Sequence, residues 1–248
     1  ASKAGHTGTL DPLATGLLPI CLGEATKFSS ALLGADKTYE AVLRLGYIST
    51  TGDAEGEISV AGDVKLTLQH VEAVVQSFIG IITQIPPMYS ALKHQGKPLY
   101  AYARKGVEIE RQPRTVTIYD LRVETLAGDE MCITVKCSTG TYVRTLAEDI
   151  GRALGCGGAY LTALRRSAVN DFDLSQSYTL DQLEAMPLSQ RDRCLHPADS
   201  LLHNFSAVML DSALVTSLLQ GQMVAGPPSI NGLMEGEKVR LYDREENF

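Results

Sequence analysis

The strongest constraint on how this chain can fold lies near its N-terminus, in the segment Gly5-His-Thr-Gly-Thr-Leu-Asp-Pro-Leu-Ala-Thr-Gly16. Glycines and threonines around Asp11 predict a tight backbone path, and Pro12 disfavours the α region for the residue before it. An aspartate on such a turn is presented rather than enclosed in a helix or strand. The residue types alone leave two interpretations open: an Asx-turn residue with no chemistry, or a carboxylate offered to a substrate.

The composition is that of an ordinary soluble globular protein. The 248 residues are 44% hydrophobic and 21% charged, which suits one large domain with or without a small second one. No apolar run approaches the roughly 20 residues that cross a bilayer, and the N-terminus lacks the apolar core of a secretory signal. We therefore expect no membrane association.

The cysteines and histidines predict neither disulfides nor a metal site. The five cysteines are odd in number and form no Cys-x-x-Cys pair, and the five histidines are scattered along the chain. This pattern predicts reduced thiols in a cytoplasmic protein. No His/Cys group has the spacing of zinc ligands, so we expect no metal.

The charge distribution is uneven. The net charge of -7 argues mildly against a nucleic-acid partner, because phosphate binding needs Lys and Arg. Residues 92–114, however, hold six basic and two acidic side chains, a local charge of +4. A basic patch on an acidic protein can steer a polyanion to one face. The other interpretation of this segment is a solvated surface loop.

The hydrophobic periodicity mixes strands and helices without a βαβ rhythm, which predicts an α+β fold. Thr67 is expected to cap the first helix, Gly155 to end the second, and residues 127–129 to form a hairpin turn. Strands are expected at 38–46, 114–126, 130–137 and 238–242, and helices at 68–78, 141–154 and 211–220. The polar, proline-containing stretch 187–199 indicates a domain boundary.

Both ends of the chain suggest a trimmed or partial protein. There is no initiator Met, and the glycine-rich segment near the N-terminus has no preceding element to support it. At the other end, the strand expected at 238–242 would leave an unpaired edge.

Several segments, taken in order, resemble the TruB family of tRNA pseudouridine synthases, which modify the uridine at position 55 of the T-loop. Residues 5–16 are similar to the family's catalytic motif, and their Pro-Leu-Ala-Thr-Gly part is more like the stand-alone bacterial form than the guide-RNA-dependent cousins. The resemblance is dense over about residues 4–170 and looser beyond. The other segments are Lys37-Thr-Tyr39, Thr51-Gly-Asp-Ala-Glu-Gly56, Pro86-Pro-Met-Tyr-Ser-Ala-Leu-Lys93, Lys97-Pro-Leu-Tyr-Ala-Tyr-Ala-Arg104-Lys-Gly106, Cys137-Ser-Thr-Gly-Thr-Tyr-Val-Arg144-Thr-Leu146 and Leu164-Arg-Arg166.

The resemblance implies a pseudouridine synthase fold, with a mixed, largely antiparallel sheet flanked by helices. It places the catalytic domain at residues 1–200, with an RNA-gripping insertion at about 80–114, and a partial PUA-like β-barrel that binds RNA at 201–248. Two departures from the family are expected. The N-terminal segment with a Lys-Pro-x-Gly motif is absent, and the C-terminal segment resembles only the first part of a PUA domain.

The resemblance also assigns roles to individual residues. Asp11 is the catalytic carboxylate, Arg144 its ion-pair partner, and Tyr39 the tyrosine that stacks on the flipped-out uracil and helps to remove the C5 proton. Substrate contacts are implied for His6, Tyr39, Tyr142 and Leu164. Contacts to the phosphates of the T-arm are implied for Lys93, Lys97, Arg104, Lys105 and Arg165.

The implied reaction breaks the N1–C1′ bond of uridine and rejoins the base through C5, so no redox step and no cofactor are expected. The sequence does not choose between attack at C1′, attack at C6 and proton abstraction. The implied partner is the T-arm stem-loop of tRNA, bound by a cytoplasmic monomer.

Two other functions are compatible with parts of the sequence. One is a non-catalytic tRNA-binding or RNA-folding module, suggested by the basic segment and the PUA-like tail. The other is an aspartate-dependent glycoside hydrolase, which usually needs a second carboxylate. The sequence presents no acidic partner near the Asp11 motif, which argues against this last function.

Overall fold

The computed structural model describes residues 3–226, 232, 234 and 236–248. Its strands are β1 (Ala4–His6), β2 (Ala14–Gly16), β3 (Ile20–Leu22), β4 (Lys37–Leu45), β5 (Tyr47–Ser49), β6 (Ile58–Val60), β7 (Gly80–Gln84), β8 (Lys93–His94), β9 (Lys97–Pro98), β10 (Arg114–Ala127), β11 (Glu130–Cys137), β12 (Ala159–Val169), β13 (Phe172–Asp173), β14 (Ser206–Met209) and β15 (Val239–Tyr242). Its α-helices are α1 (Ser29–Leu33), α2 (Leu68–Gln76), α3 (Leu99–Ala103), α4 (Val143–Ala153), α5 (Leu180–Ala185), α6 (Leu188–Arg191) and α7 (Ser212–Leu219). Short 3-10 turns lie at Gly23–Lys27, Leu174–Gln176, Asp192–Cys194 and Ala198–Leu202.

The chain divides into two compact units. The larger unit comprises Gly8–Pro19 and Leu33–Ser177. The smaller unit comprises the described residues of Ala1–Thr7, Ile20–Leu32 and Tyr178–Phe248. The smaller unit therefore begins its C-terminal part at Tyr178 and takes in N-terminal residues as well. The predicted domain limits at residue 200 stay a prediction.

The larger unit is built on one mixed sheet, seven-stranded within the described residues, in the order β13-β12-β4-β11-β10-β7. β2 joins this sheet by pairing with the same edge of β12 as β13 does. Every pair in the sheet is antiparallel except β2 with β12, which is parallel. The predicted mixed, largely antiparallel sheet flanked by helices is confirmed.

One face of this sheet packs against α2 and α4. On β4, Ala41, Leu43 and Leu45 are buried, whereas Val42 and Arg44 between them are only partly buried, as the two-residue period of a strand requires. Helix α4 contributes a buried stripe at helical spacing, which includes Leu146 and Ile150. Each such buried aliphatic side chain contributes about 1.5–3 kcal/mol, so this layer is the main source of stability.

Most of the helices and strands predicted for the larger unit lie close to the predicted residues. Helix α2 begins after Thr67, whose side chain accepts a hydrogen bond from the amide of His70 at 3.3 Å. Strands β10 and β11 form the predicted hairpin. Strand β7, which begins at Gly80, and strand β12 were not predicted.

The smaller unit holds two separate strand pairs within the described residues. β1 is antiparallel to β3, and β14 is parallel to β15. Helix α7 begins after Asp211, whose carboxylate accepts a hydrogen bond from the amide of Leu214 at 2.9 Å, and this confirms the predicted helix. The predicted strand near the C-terminus is also confirmed. The PUA-like barrel is not confirmed by these pairs.

No helix within the described ranges is long and apolar enough to span a bilayer.

Candidate active site

Asp11 occupies the first position of a β-turn at the start of β2. Its carbonyl accepts a hydrogen bond from the amide of Ala14 at 2.8 Å, and Pro12 supplies the backbone angle that the second position of such a turn favours. The Asp11 side chain is 38% exposed. The β-turn therefore fixes the position of Asp11, and its carboxylate remains accessible from solvent.

Arg144 brings a positive charge to this carboxylate from the first turn of α4. Its Nε lies 2.9 Å from Oδ2 of Asp11, an ion pair without the alignment of a hydrogen bond. Nη1 donates to the carbonyl of Thr51 and Nη2 to the carbonyl of Tyr89, both at 2.9 Å. The guanidinium side chain is only 6% exposed. All three of its nitrogens are engaged, so its orientation is fixed before any substrate binds.

A second carboxylate faces the same guanidinium. Oδ2 of Asp53 lies 3.7 Å from Nε of Arg144, and this side chain is 5% exposed. Its other oxygen accepts hydrogen bonds from the hydroxyl of Thr51 at 2.5 Å and the amide of Glu55 at 3.1 Å. The expectation that no acidic residue stands near the Asp11 motif was wrong. The loop 50–57 folds under α4, which the linear sequence does not reveal.

The two carboxylates differ in what they can do. Asp11 is partly exposed, whereas Asp53 is enclosed and bonded to its own loop. A general acid in a glycosidase must reach the leaving group. Because Asp53 is buried behind the arginine, its geometry suits charge compensation rather than direct contact with a substrate.

The start of α4 is clamped by a buried glutamine at the end of β7. Gln84 donates through Nε2 to the carbonyl of Tyr142 at 3.2 Å and accepts from the amide of Tyr142 at 3.0 Å. It is 1% exposed. The guanidinium of Arg114 lies 4.4 Å from the centre of the Tyr142 ring, a cation–π contact. Tyr142 therefore holds the N-terminus of the helix that carries Arg144.

Tyr39 stands on β4 between β11 and β12, half-buried and opposite Arg166 of β12. Burial raises the pKa of the Tyr39 hydroxyl, while the nearby positive charge of Arg166 acts in the opposite direction and lowers it. The charge of Asp11 also acts on this hydroxyl and raises its pKa. Tyr39 is thus within electrostatic reach of Asp11, as the predicted role in the same site requires.

The remaining predicted substrate contacts take three different positions. Leu164 is buried on β12 opposite Ala41 and belongs to the hydrophobic core. Tyr142 is partly buried at the start of α4. His6 lies on β1 opposite Ile20, in the smaller unit. Their contacts to a substrate stay predictions.

The basic side chains of the insertion are displayed on a short hairpin and the helix that follows it. Lys93 and Lys97 are exposed on β8 and β9, and Arg104 and Lys105 are exposed just after α3. The guanidinium of Arg104 lies 5.3 Å from the ring centre of Tyr100. An exposed cation against an aromatic face suits contact with a nucleic acid.

Arg165 lies on the main sheet and not on the β8–β9 hairpin. It is exposed on β12 opposite Glu40, and strand alternation sends it to the sheet face opposite that of Leu164 and Arg166. Its predicted contact to RNA stays a prediction, but it is separated from the Tyr39 face by the sheet itself.

Three buried polar residues at this site were not assigned a role from the sequence: Asp53, Gln84 and Arg166. Asp53 lies within the quoted Thr51-Gly-Asp-Ala-Glu-Gly56 segment, and Arg166 ends the Leu164-Arg-Arg166 segment, so both had a signal that received no interpretation. Gln84 had none, because one glutamine at a strand end is unremarkable until its partner is known. Within the described ranges, no group of three or more His, Cys, Asp or Glu side chains could hold a metal ion.

Two family models match this chain. The model of the TruB family pseudouridylate synthase N-terminal domain matches residues 1–143, and that of the tRNA pseudouridylate synthase B C-terminal domain matches residues 144–203. The chain belongs to the TruB family. The family resemblance of the sequence motifs is thereby confirmed.

Curated TruB relatives match along the whole chain. A protein named tRNA pseudouridine synthase B from Nitrosospira multiformis is 68% identical over 254 aligned residues, covering 100% of this chain and 81% of its own length. Those of Nitrosomonas europaea and Burkholderia mallei are 57% and 54% identical, each covering 100% of this chain and 82% of its own length.

Solved structures place the same TruB chain among the pseudouridine synthase folds. A crystal structure of a Cbf5-Nop10-Gar1 complex matches with a TM-score of 0.72 and 26% identity, covering 99% of this chain and 68% of the other. A structure of an H/ACA RNP bound to a substrate RNA containing 2′-deoxyuridine matches with a TM-score of 0.70 and 25% identity, covering 99% and 67%. The predicted pseudouridine synthase fold is confirmed.

Proposed function

We propose that this chain converts a uridine in the T-loop of tRNA, at position 55, to pseudouridine, with Asp11 as the catalytic carboxylate. The observation that carries the proposal is the ion pair between Asp11 and Arg144, in which a partly exposed carboxylate meets a buried, fully engaged guanidinium. Membership of the TruB family and the name tRNA pseudouridine synthase B of the relatives supply the reaction and the substrate.

The chemistry asks little of the protein beyond one positioned carboxylate. The N1–C1′ bond breaks, the uracil turns, a C5–C1′ bond forms, the proton on C5 leaves to solvent, and N1 takes up a proton from solvent. Asp11 acts as nucleophile or base in this sequence. Arg144 holds the carboxylate in one orientation and offsets its charge when the site closes around the RNA.

Tyr39 supports the proposal as an aromatic group whose hydroxyl is within electrostatic reach of Asp11. A flipped-out base needs a stacking surface to replace its neighbours in the RNA. Tyr39 is half-buried, so one ring face is held by the protein. Since burial raises the pKa of its hydroxyl, the group is protonated at neutral pH and serves as a donor or a proton relay before it serves as a base.

RNA binding is assigned to the exposed basic side chains of the insertion. Lys93, Lys97, Arg104 and Lys105 lie close together in the chain on β8, β9 and the end of α3. Phosphate contacts of this kind position a stem-loop without reading its bases. Residues 201–248 are assigned to a partial PUA-like RNA-binding domain, and the parallel pairing of β14 with β15 supports this assignment.

The enzyme is further assigned to the cytoplasm, as a monomer. All five cysteines are free thiols, as expected of a protein in a reducing compartment. Light scattering coupled to size-exclusion chromatography at micromolar concentration tests the monomer. A mass of twice 26.7 kDa contradicts it.

The decisive experiment uses a T-arm stem-loop with tritium on C5 of the target uracil. The unmodified protein is expected to release tritium to water, and Asp11→Asn to lower the rate by at least about 1,000-fold. Asp63→Asn is the matched control, because Asp63 is 87% exposed and pairs with the exposed Lys65 at 3.5 Å. Tritium release that survives in Asp11→Asn contradicts the role of Asp11.

The same experiment separates the enzyme from a pure RNA-binding module. RNA binding by the unmodified protein without any tritium release would favour the module. Hydrogen exchange of the full chain, with and without the stem-loop, tests the PUA-like assignment. Protection of β14 and β15 by RNA supports it, and unchanged exchange in both strands contradicts it.

A further inference from the structure

Arg166 is a buried cation at the centre of the site, and its side chain is only 2% exposed. Its Nε donates to the carbonyl of Leu17 at 2.8 Å, Nη1 to that of Thr9 at 3.3 Å and Nη2 to that of Gly8 at 3.2 Å. These three carbonyls lie on both sides of Asp11 in the chain. One guanidinium therefore ties together the segments that enter and leave the Asp11 turn.

The main chain of Arg166 holds the same loop. Its carbonyl accepts a hydrogen bond from the amide of Leu17 at 2.7 Å, and Gly16 is its partner in the parallel pair of β2 with β12. A Cβ on Gly16 would lie 2.2 Å from this carbonyl oxygen. Only a glycine permits such an approach, so the loop after Asp11 is seated directly on Arg166.

On its other side Arg166 faces the strand that carries Tyr39. The two residues are partners in the antiparallel pair of β12 with β4. The positive charge of Arg166 acts on the Tyr39 hydroxyl. Arg166 thus stands between the Asp11 loop and the tyrosine that the proposed reaction needs beside it.

We propose that Arg166 is a positioning residue for pseudouridine formation, which fixes the Asp11 loop relative to Tyr39. This inference rests on the proposed function. The planar guanidinium suits the task, because its fork reaches three carbonyls in fixed directions, whereas a lysine ammonium cannot. Stability alone is a weak reason for this residue, since the cost of burying a cation offsets much of what its hydrogen bonds return.

The test compares Arg166→Gln and Arg166→Lys with the unmodified protein, on the tritiated T-arm stem-loop under single-turnover conditions. Both variants are expected to lower the rate constant, Arg166→Gln by about 100-fold and Arg166→Lys by less, because a displacement of the carboxylate by about 1 Å has this effect. The dissociation constant for the stem-loop is expected to stay within about threefold.

A second readout separates positioning from general stability. Amide hydrogen exchange is expected to accelerate at Ala14, whose amide closes the Asp11 turn, and at Leu17, whose amide donates to the carbonyl of Arg166. The amides of α4 are expected to keep their protection. Arg122→Gln is the matched control, because Arg122 is 63% exposed on β10 and pairs with Asp120 at 3.0 Å. It is expected to change neither the rate nor the exchange.

Three results overturn the inference. The first is a folded variant whose rate stays within about threefold of the unmodified protein. The second is a loss of rate without faster exchange at Ala14 and Leu17. The third is failure of both variants to fold where Arg122→Gln folds, which would make Arg166 a general structural requirement. If the unmodified protein releases no tritium, the proposed function fails instead, and the exchange measurement still reports whether Arg166 holds the loop.

Discussion

Nε of Arg144 lies 2.9 Å from the carboxylate of Asp11, although the arginine belongs to helix α4 and the aspartate to a turn near the N-terminus. The arginine does not approach alone. The carbonyls of Thr51 and Tyr89 fix its other two nitrogens, and Asp53 faces the same Nε from behind. Two carboxylates and one guanidinium therefore form a charge network at the centre of the site, and substitution of its members tests their roles.

Arg144→Lys keeps the charge but removes the fork. We expect the single-turnover rate to fall by about 100-fold, because one ammonium cannot face Asp11 and also reach the carbonyls of Thr51 and Tyr89. Stem-loop binding, measured by filter retention, is expected to change by less than about threefold. Arg152→Lys on the same helix is the control, since its side chain is 56% exposed. An Arg144→Lys rate equal to that of the control contradicts the need for the fork.

Asp53→Asn removes the buried carboxylate and keeps its shape. We expect the free energy of unfolding to fall by about 2 kcal/mol, because Arg144 loses part of its charge compensation and the neutral amide oxygen accepts more weakly from Thr51 and Glu55 than a carboxylate does. We also expect a slower single-turnover reaction. Urea denaturation measures the first effect. The control is Glu55→Gln, an exposed charge in the same loop. Equal stability of the two variants would show that Asp53 is not needed to hold Arg144.

Gln84→Met replaces the clamp on Tyr142 by an apolar side chain of similar size. We expect a loss of about 1–3 kcal/mol in unfolding free energy, because the amide and the carbonyl of Tyr142 both lose a buried partner. Gln76→Met, on the exposed end of α2, is expected to stay within about 0.5 kcal/mol of the unmodified protein. A Gln84→Met protein as stable as this control would show that Gln84 is not needed to hold the start of α4.

Glu148→Gln tests a pH dependence. Burial raises the pKa of Glu148 in the folded state, more than its pairing with Arg152 lowers it. A carboxyl with a raised folded-state pKa contributes stability below its unfolded pKa, and that contribution is lost as the pH rises through the folded value. The glutamine variant has no such loss. We therefore expect its melting temperature, relative to the unmodified protein, to be higher at pH 7 than at pH 4.

Thermal denaturation at the two pH values measures this effect. Glu124→Gln, an exposed substitution on β10, serves as the control and is expected to show no such change with pH. A relative melting temperature of Glu148→Gln that falls from pH 4 to pH 7 would contradict the predicted direction.

Local signals carried most of the secondary structure. Thr67 and Asp211 cap their helices because the capping bond needs only the next few residues. Strands β4, β10 and β11 of the larger unit were recognised from alternation that depends on neighbours two apart, whereas β7 and β12 were not predicted. The limits of the two compact units were not, because the described N-terminal residues pair with β3 and leave the larger unit, which no local pattern encodes.

The sequence by itself determined the family and the α+β class, and it predicted Asp11, Tyr39 and Arg144 as members of one site. The sequence did not determine which other residues surround these three. Asp53 lies in the site because the preceding residue of its loop, Gly52, accepts a hydrogen bond through its carbonyl from the amide of Leu161 on β12. The side chains of Arg165 and Arg166 point to opposite faces of the sheet, because adjacent residues of a strand alternate between the two faces. Only strand order and register decide such placements, since they bring together residues that are far apart along the chain.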